Sequence, residues 1–249
     1  MHSAFIFNLV GTFLLVTALI LHIVCLSMPY YSEANFDDFG MEVSRLAQTD
    51  PTQLGLSKDA SPEELQNAIG NLATLSGGSL NFGMWKLCMA SDEVDICASW
   101  SRETTFEPST GFLDTLEAGA WIRGVQAMAL LGLIFLVLAV GFAVLNVVIK
   151  SKGDRLRWLY LFILCFCLIS ATFILIGDII MGAKHREAFD PVIAQNNNSP
   201  PRQLYHLFTK RFTLSWGFVL DVISVALILL SGVAHFIGGR IANTSSGVI

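Results

Sequence analysis

The sequence predicts an all-α membrane protein, in which four transmembrane helices form a bundle that carries a small extracellular antiparallel β-sheet. Three observations lead to this fold class. Of the 249 residues, 53% are hydrophobic and only 14% are charged, and the mean hydropathy is +0.60. These values are typical of a membrane protein and too apolar for a soluble domain of this length. Four stretches are long enough to cross about 30 Å of hydrocarbon, and the long loop after the first of them contains two cysteines, Cys88 and Cys97.

The four apolar stretches cover residues 5–26, 124–149, 158–177 and 212–239. A helix satisfies all of its backbone hydrogen bonds internally, so each stretch is predicted to cross the membrane as an α-helix. The first stretch lacks a basic leader and a small-residue cleavage site, so we expect it to stay in the mature chain. The predicted division of the chain is helix 1–27, extracellular loop 28–118, helix 119–149, cytoplasmic loop 150–157, helix 158–182, extracellular loop 183–211, helix 212–240 and cytoplasmic tail 241–249.

The distribution of basic residues predicts the orientation. The loop 150–157 holds Lys150, Lys152, Arg155 and Arg157 against one acid, Asp154, and loops rich in lysine and arginine stay in the cytoplasm. Both chain termini are then cytoplasmic and the two other loops extracellular. The loop 183–211 also contains several basic residues, so the chain follows the rule imperfectly.

The first extracellular loop is strongly acidic. Residues 28–116 contain fourteen acidic and four basic side chains, which gives a formal charge of −10, whereas the whole chain has only −5. Such a field attracts cations and basic partner surfaces and weakens with salt. The alternative is that the acids only keep an exposed loop soluble.

Three parts of this loop have secondary-structure signals. Residues 30–39 are aromatic enough for a first strand, and residues 54–76 have a helix pattern with Ser61 as N-cap and Pro62 in the first turn. Residues 80–89 and 94–102 are predicted to form two strands joined by residues 90–93.

Cys88 and Cys97 face each other across this predicted hairpin. The other three cysteines, Cys25, Cys165 and Cys167, lie inside apolar stretches, so Cys88 and Cys97 are predicted to form a disulfide in an oxidising compartment. Closing so short a loop is worth about 3 kcal/mol in the chain-entropy model. A zinc site is the competing interpretation, but two cysteines without nearby histidines do not provide four ligands.

The residues Gly83-Met84-Trp85, followed by Cys88 and Cys97, resemble the Gly-Leu-Trp, Cys, Cys signature of the claudin and peripheral myelin protein superfamily. That superfamily also includes epithelial membrane proteins and auxiliary subunits of ion channels. Arg123, at the start of the second apolar stretch, resembles the arginine that these proteins have there. The order of four spans, a long first outer loop and a shorter second one matches as well.

The chain departs from the family pattern at three places. Tyr31 stands near the position of a family tryptophan, about forty residues in the segment 40–79 exceed the usual loop, and the C-terminus ends in Ser246-Gly247-Val248-Ile249. Gly247 replaces a residue that a scaffold-binding C-terminal motif requires. The inserted segment is expected to be a contact surface or a lid over the sheet.

The resemblance implies that both outer loops join in one antiparallel sheet standing on the helix bundle, with Trp85 near the membrane surface. Tryptophan is favoured at that interface because its ring is apolar and its N–H can be hydrated. Trp85 is then either a core anchor or part of a recognition surface, and the first role is the more common one.

Three charged residues, Arg123, Asp178 and Asp221, are predicted near the outer membrane boundary. Ionisable groups at such a depth normally face the bundle and are paired. We therefore expect Arg123 to pair with one of the two aspartates and to fix the packing of the helices. An ion-conducting or proton-relay role is the alternative, although no line of polar residues runs through the spans.

Other site signals are weak. Asn197 begins a glycosylation sequon in the second outer loop, followed directly by Pro200, which makes it a candidate for modification. The five histidines are scattered along the chain. We find no catalytic motif, and we expect no cofactor, metal, nucleic acid or small-molecule substrate.

The sequence therefore predicts a non-enzymatic, claudin-like protein of the plasma membrane, surrounded by the lipid bilayer and acting at cell–cell junctions in contact, adhesion or barrier formation. Homo-oligomers within one membrane and across to the next cell are the expected assemblies. Two alternatives stay open. The chain is an auxiliary subunit of an ion channel or receptor, or it organises the membrane through lipid packing.

Overall fold

The computed structural model describes residues 2–36, 38–49, 78–90, 95–99, 120–151, 157–185 and 210–244. The predicted helix at 54–76 and the sequon at Asn197 lie outside these ranges. The described chain forms two compact units. One comprises Met1–Leu26, Gly124–Ile180 and Phe218–Ile249, and the other comprises Ser27–Arg123 and Met181–Gly217.

Four long helices are present in the described ranges, as the hydropathy predicts. They are α1 (His2–Ser27), α3 (Ala120–Ser151), α4 (Arg157–Lys184) and α5 (Trp216–Thr244). All four are long and apolar enough to cross a membrane. A further, short helix, α2 (Phe39–Thr49), lies in the segment between α1 and α3 and was not predicted from the sequence.

The helical unit is packed along regular lines of buried residues. Apart from Leu26 near its end, the buried positions of α1 are separated by alternating steps of four and three residues: Ala4, Asn8, Gly11, Leu15, Ala18, His22 and Cys25. The same alternation runs through the buried positions of α3 and α5. This spacing keeps one stripe of each helix turned toward its neighbours, as in left-handed bundles. Large apolar side chains such as Phe13 and Ile134 are exposed on the outside, where lipid would cover them.

Small residues bring the helices of this unit close together. A Cβ atom on Gly132 of α3 would lie 2.5 Å from Ile174 of α4, and one on Gly239 of α5 would lie 2.6 Å from the ring of Tyr160. The hydroxyl of Ser170 donates a hydrogen bond of 2.8 Å to the carbonyl oxygen of Gly132. Lipid tails are as apolar as the side chains, so the hydrophobic effect does not drive helices together in a bilayer. Close packing at small residues and hydrogen bonds between helices drive their association instead.

In the part of the chain that the structure describes, the second unit contains a five-stranded antiparallel sheet. Its strands are β1 (Ser32–Asn35), β2 (Ser79–Phe82), β3 (Lys86–Ala90), β4 (Asp95–Ser99) and β5 (Phe212–Leu214). Their spatial order is β4-β3-β2-β1-β5. The sheet therefore joins four strands from the segment between α1 and α3 with one strand from the segment between α4 and α5.

Side-chain alternation gives this sheet one apolar face. Ala34 is the register partner of both Leu80 and Phe212, so the three side chains point to the same side of the sheet. All three are almost fully buried. The opposite side carries Glu33 and its partners Asn81 and Thr213. Period-two alternation of this kind is typical of a sheet that packs on one face.

Two sequence predictions about the strands were wrong in detail. Residues 80–89 form two strands separated by a turn at Gly83-Met84-Trp85, not one strand. Residues 212–214 form β5, and the fourth long helix begins only at Trp216. The apolar run that starts at Phe212 concealed the change from strand to helix.

Candidate functional site

The signature residues Gly83-Met84-Trp85 form the turn between β2 and β3. The backbone N–H of Gly83 donates to the carbonyl oxygen of Lys86 at 2.8 Å, which closes the turn. Met84 is only 2% exposed, so its side chain is buried. Trp85 is half-buried. The turn thus buries one side chain completely and leaves the indole partly accessible.

Gly83 lies against the chain that leaves α1. A Cβ atom at this position would be 2.6 Å from both the carbonyl oxygen of Met28 and the Cα atom of Pro29. Both are backbone atoms, so they cannot move aside as the tip of a flexible side chain can. Glycine is required here because two stretches of backbone approach each other.

Cys88 and Cys97 form a disulfide between neighbouring strands. They are register partners in β3 and β4, and their Cα atoms are 4.1 Å apart. Cys88 is buried and Cys97 is exposed. The predicted bond is present, and it covalently fixes the pairing of β3 with the edge strand β4.

The connections to α1 and α5 are held by backbone hydrogen bonds. The N–H of Tyr31 donates to Phe82 at 2.9 Å, and the N–H groups of Ser215 and Gly217 donate to Tyr31 and Tyr30 at 3.0 Å. The rings of Tyr30 and Trp216 stack at 5.4 Å. Tyr31 is fully buried. These bonds leave little freedom where α1 leads into β1 and β5 leads into α5.

Helix α2 is attached to the sheet by Arg211. One guanidinium nitrogen is 2.7 Å from the carboxylate of Glu42, and the other donates to the carbonyl oxygen of Asn35 at 3.1 Å. Because Asn35 ends β1 and Arg211 immediately precedes β5, the arginine joins three elements. Met41 of α2 is 69% exposed and is therefore available to a partner.

A buried polar pair, His22 and Asp221, connects α1 with α5 in the helical unit. Nδ1 of His22 is 2.6 Å from Oδ1 of Asp221, and both side chains are 0% exposed. Nε2 of His22 is 3.3 Å from the carbonyl oxygen of Ala129 in α3, and the hydroxyl of Ser224 donates to the backbone carbonyl of Asp221 at 2.7 Å. One imidazole therefore contacts two other helices.

The hydrogen-bonding groups determine the total charge of this pair. A carbonyl oxygen only accepts, so Nε2 of His22 carries a proton. The proton between Nδ1 and Oδ1 belongs to either the imidazole or the carboxyl group, and in both arrangements the pair as a whole is neutral. A neutral pair avoids the cost of an uncompensated charge in a membrane-spanning bundle.

The three charged residues predicted near the outer membrane boundary have different surroundings in the structure. Asp221 is hydrogen-bonded to His22 and Ser224. Asp178 is 1% exposed in α4, and Arg123 is exposed in the first turn of α3. A role for Arg123 as partner of Asp178 or Asp221 stays a prediction.

His22 was missed as a site residue because its partner lies far away in the sequence. It stands 199 positions from Asp221 in the sequence, so only the fold brings them together. One signal was present, since a histidine in an otherwise apolar span requires a polar partner. Among the described residues, no group of three or more histidine, cysteine, aspartate or glutamate side chains is arranged to hold a metal ion.

Comparison with models of known protein families gives a match over most of the chain. A family model described as "PMP-22/EMP/MP20/Claudin tight junction" matches residues 64–237, which is more than half of the chain. The matched range includes the Gly83 turn, both disulfide cysteines, β5, all of α3 and α4 and most of α5. No individual curated protein matches the sequence.

Proposed function

The chain belongs to the PMP-22/EMP/MP20/claudin family of membrane proteins, and from this membership we propose that its extracellular loops mediate contact between cells. In this proposal the protein lies in the plasma membrane with both termini in the cytoplasm. The loops associate between copies in one membrane and with copies on the neighbouring cell. Family membership indicates a structural rather than an enzymatic role.

The observation that carries this proposal is the joint sheet. Strands β1 to β4 come from the segment between α1 and α3, and β5 comes from the segment between α4 and α5. Pairing of β1 with β5 and the disulfide between β3 and β4 hold the five strands in one body. A pre-organised surface loses little conformational freedom on binding, which favours adhesion by weak contacts repeated over many copies.

The charge of the first loop indicates the kind of surface that would assemble. Residues 28–116 have fourteen acidic and four basic side chains, so their formal charge is −10. Two such surfaces repel each other unless cations lie between them or basic residues of the other loop meet them. A path between cells that is lined by this loop would favour cations over anions.

The test is a mixed culture of cells that express a fluorescently tagged copy and cells that express none. We expect the signal to be enriched at contacts between two expressing cells compared with contacts to a non-expressing cell. Uniform signal over the cell surface would contradict the proposal. A Cys88→Ser/Cys97→Ser variant that reaches the surface provides the matched control. It keeps the four spans but lacks the disulfide that links β3 to β4.

One observation favours a second function, that of an auxiliary subunit of an ion channel or receptor. Helix α2 belongs to the segment 40–79 that exceeds the usual loop, and it is anchored by Arg211 while Met41 is exposed. A fixed helix with an exposed apolar side chain suits one dedicated partner. Stoichiometric co-purification with a larger membrane protein, lost in a Met41→Glu variant, would support this function.

A further inference from the structure

The first and the last long helices, α1 and α5, are joined by polar contacts at three levels. The contacts are His22 with Asp221 at 2.6 Å, Ser231 with the carbonyl oxygen of Gly11 at 2.7 Å, and Asn8 with His235 at 3.2 Å. Glycines make room for the third of these. A Cβ atom on Gly238 would lie 2.9 Å from Oδ1 of Asn8, and one on Gly11 would lie 2.9 Å from the ring of His235.

The same two chain segments also pair in the sheet unit. The chain of α1 continues through residues 28–31 into β1, and β5 continues through Ser215 into α5. β1 and β5 are paired over Ser32, Glu33 and Ala34. β5 lies at one edge of the sheet, and β1 is its neighbour. Attachment of β5 therefore depends on its pairing with β1, on the backbone bonds of Ser215 and Gly217 and on how the ends of α1 and α5 are held.

We propose that the His22–Asp221 pair is a latch that keeps β5 attached to β1. With the pair closed, the ends of α1 and α5 are fixed and the short connections hold the two strands in register. With the pair broken, the helix ends separate and β5 leaves the sheet, together with the contribution of the second loop. This latch does not depend on the proposed role in cell contact.

The position of the pair supports the latch. His22 and Asp221 each lie five residues from the end of their helix, His22 before Ser27 and Asp221 after Trp216, which is about 7.5 Å along each axis. Only residues 28–31 separate α1 from β1, and only Ser215 separates β5 from α5. Connections this short transmit a displacement of the helix ends instead of absorbing it.

The chemistry of the pair makes the latch depend on both partners. Each side chain is 0% exposed, so removal of one partner leaves a buried polar or charged group without its main partner. This is strongly unfavourable, whereas replacing both partners by apolar groups of similar size is often nearly neutral. The double variant should therefore be less perturbed than either single variant. Simple loss of packing would instead make the double variant the most perturbed.

The experiment measures hydrogen–deuterium exchange in the full-length protein in lipid nanodiscs, for His22→Leu, Asp221→Leu and the double variant. Exchange is compared between the backbone amides of β1 and β5 and those of β3 and β4. We expect each single variant to accelerate exchange in β1 and β5 by about tenfold or more, without a comparable change in β3 and β4. In the double variant the exchange should be slower than in either single variant.

The matched control is the contact between Asn8 and His235. It is an equally buried hydrogen bond between the same two helices, but Asn8 is fourteen residues from His22, about 21 Å along α1. Asn8→Leu and His235→Leu should leave exchange in β1 and β5 within about threefold of the wild type. Acceleration as large as that of His22→Leu would show general weakening of the helix packing and would overturn the latch.

Two further results would also overturn it. One is unchanged exchange in β1 and β5 after loss of either partner, and the other is an additive effect in the double variant. If His22→Leu does not fold, His22→Ala replaces it, because alanine removes the donor to Asp221 without adding bulk. The latch then requires faster exchange in β1 and β5 than in β3 and β4, and equal acceleration in all four strands would reject it.

Discussion

At the scale of single residues, two glycines stand where neighbouring backbone leaves no room for a side chain. A methyl group on Gly83 would meet backbone atoms of Met28 and Pro29 at 2.6 Å, and one on Gly217 would meet the carbonyl oxygen of Tyr30 at 2.5 Å. Both positions lie where the chain passes between helix and sheet. By contrast, a methyl group on Gly141, in the middle of α3, would meet no such atom within 4 Å.

This contrast gives the first prediction. Gly83→Ala should destabilise the folded protein by about 1–3 kcal/mol, because backbone must shift to admit the methyl group. Gly141→Ala should have no destabilising effect, since its helix accepts alanine at least as well as glycine. Thermal unfolding of the two purified variants in the same detergent checks this. Equal melting temperatures would contradict the role assigned to Gly83.

The residue scale also shows where sequence reasoning ends. Cys88 and Cys97 could be paired from the sequence because they are close in the chain and are the only two cysteines outside the spans. Asp221 could be recognised as a buried acid, but its partner could not be identified. Arg123 was the predicted partner, whereas the structure pairs Asp221 with His22, because the partner depends on which helix faces which.

At the scale of elements, hydropathy identified the long helices, whereas the short elements were harder to place. A twenty-residue apolar run has few alternatives in a membrane. β5 has only three residues and is followed after one residue by an apolar helix. Its composition therefore does not distinguish it from the helix. Its identity as a strand comes from its pairing with β1, a contact far apart in the sequence.

The hairpin of β3 and β4 gives the second prediction. Cys88→Ala/Cys97→Ala should lower the free energy of unfolding of the sheet by about 2–4 kcal/mol, mainly because the unfolded hairpin gains freedom. The melting temperature of this variant should fall, and that of the wild type should fall to the same value under reducing conditions. A wild-type protein whose stability does not respond to a reductant that demonstrably frees both thiols would refute this.

The attachment of α2 gives the third prediction. Arg211→Glu should release α2, so that a protease cleaves residues 39–49 about twofold to fivefold faster, because one partly exposed ion pair contributes about 1 kcal/mol or less. The overall melting temperature should change little. Arg45→Glu, an exposed position on the same helix, is the control for charge alone. The Glu42→Arg/Arg211→Glu exchange should restore slow cleavage.

At the scale of the whole molecule, the two units use different physical means of holding together. The helical unit relies on small residues and buried hydrogen bonds between helices. The sheet unit relies on strand pairing, a disulfide and an apolar face. Close packing and hydrogen bonds are the usual means of helix association inside a bilayer, because hydrophobic contacts lose importance there.

The orientation of the whole chain gives the fourth prediction. Epitope tags at both termini should bind antibody only after the cells are permeabilised, and a tag inserted near residue 55 should bind on intact cells. The reason is the excess of lysine and arginine in residues 150–157, because loops rich in these residues are generally retained in the cytoplasm. Antibody binding to a terminal tag on intact cells would reverse the proposed topology.

The single residue between β5 and α5, Ser215, restricts how this architecture can change in evolution. One inserted residue next to it would turn the side chains of β5 to the opposite face of the sheet, or rotate α5 by about 100° and turn Asp221 away from His22. Insertions and deletions in the second loop are therefore expected only before Lys210. The number of residues between Arg211 and Asp221 is therefore fixed. Amino acids in this stretch can be exchanged, but none can be added or removed.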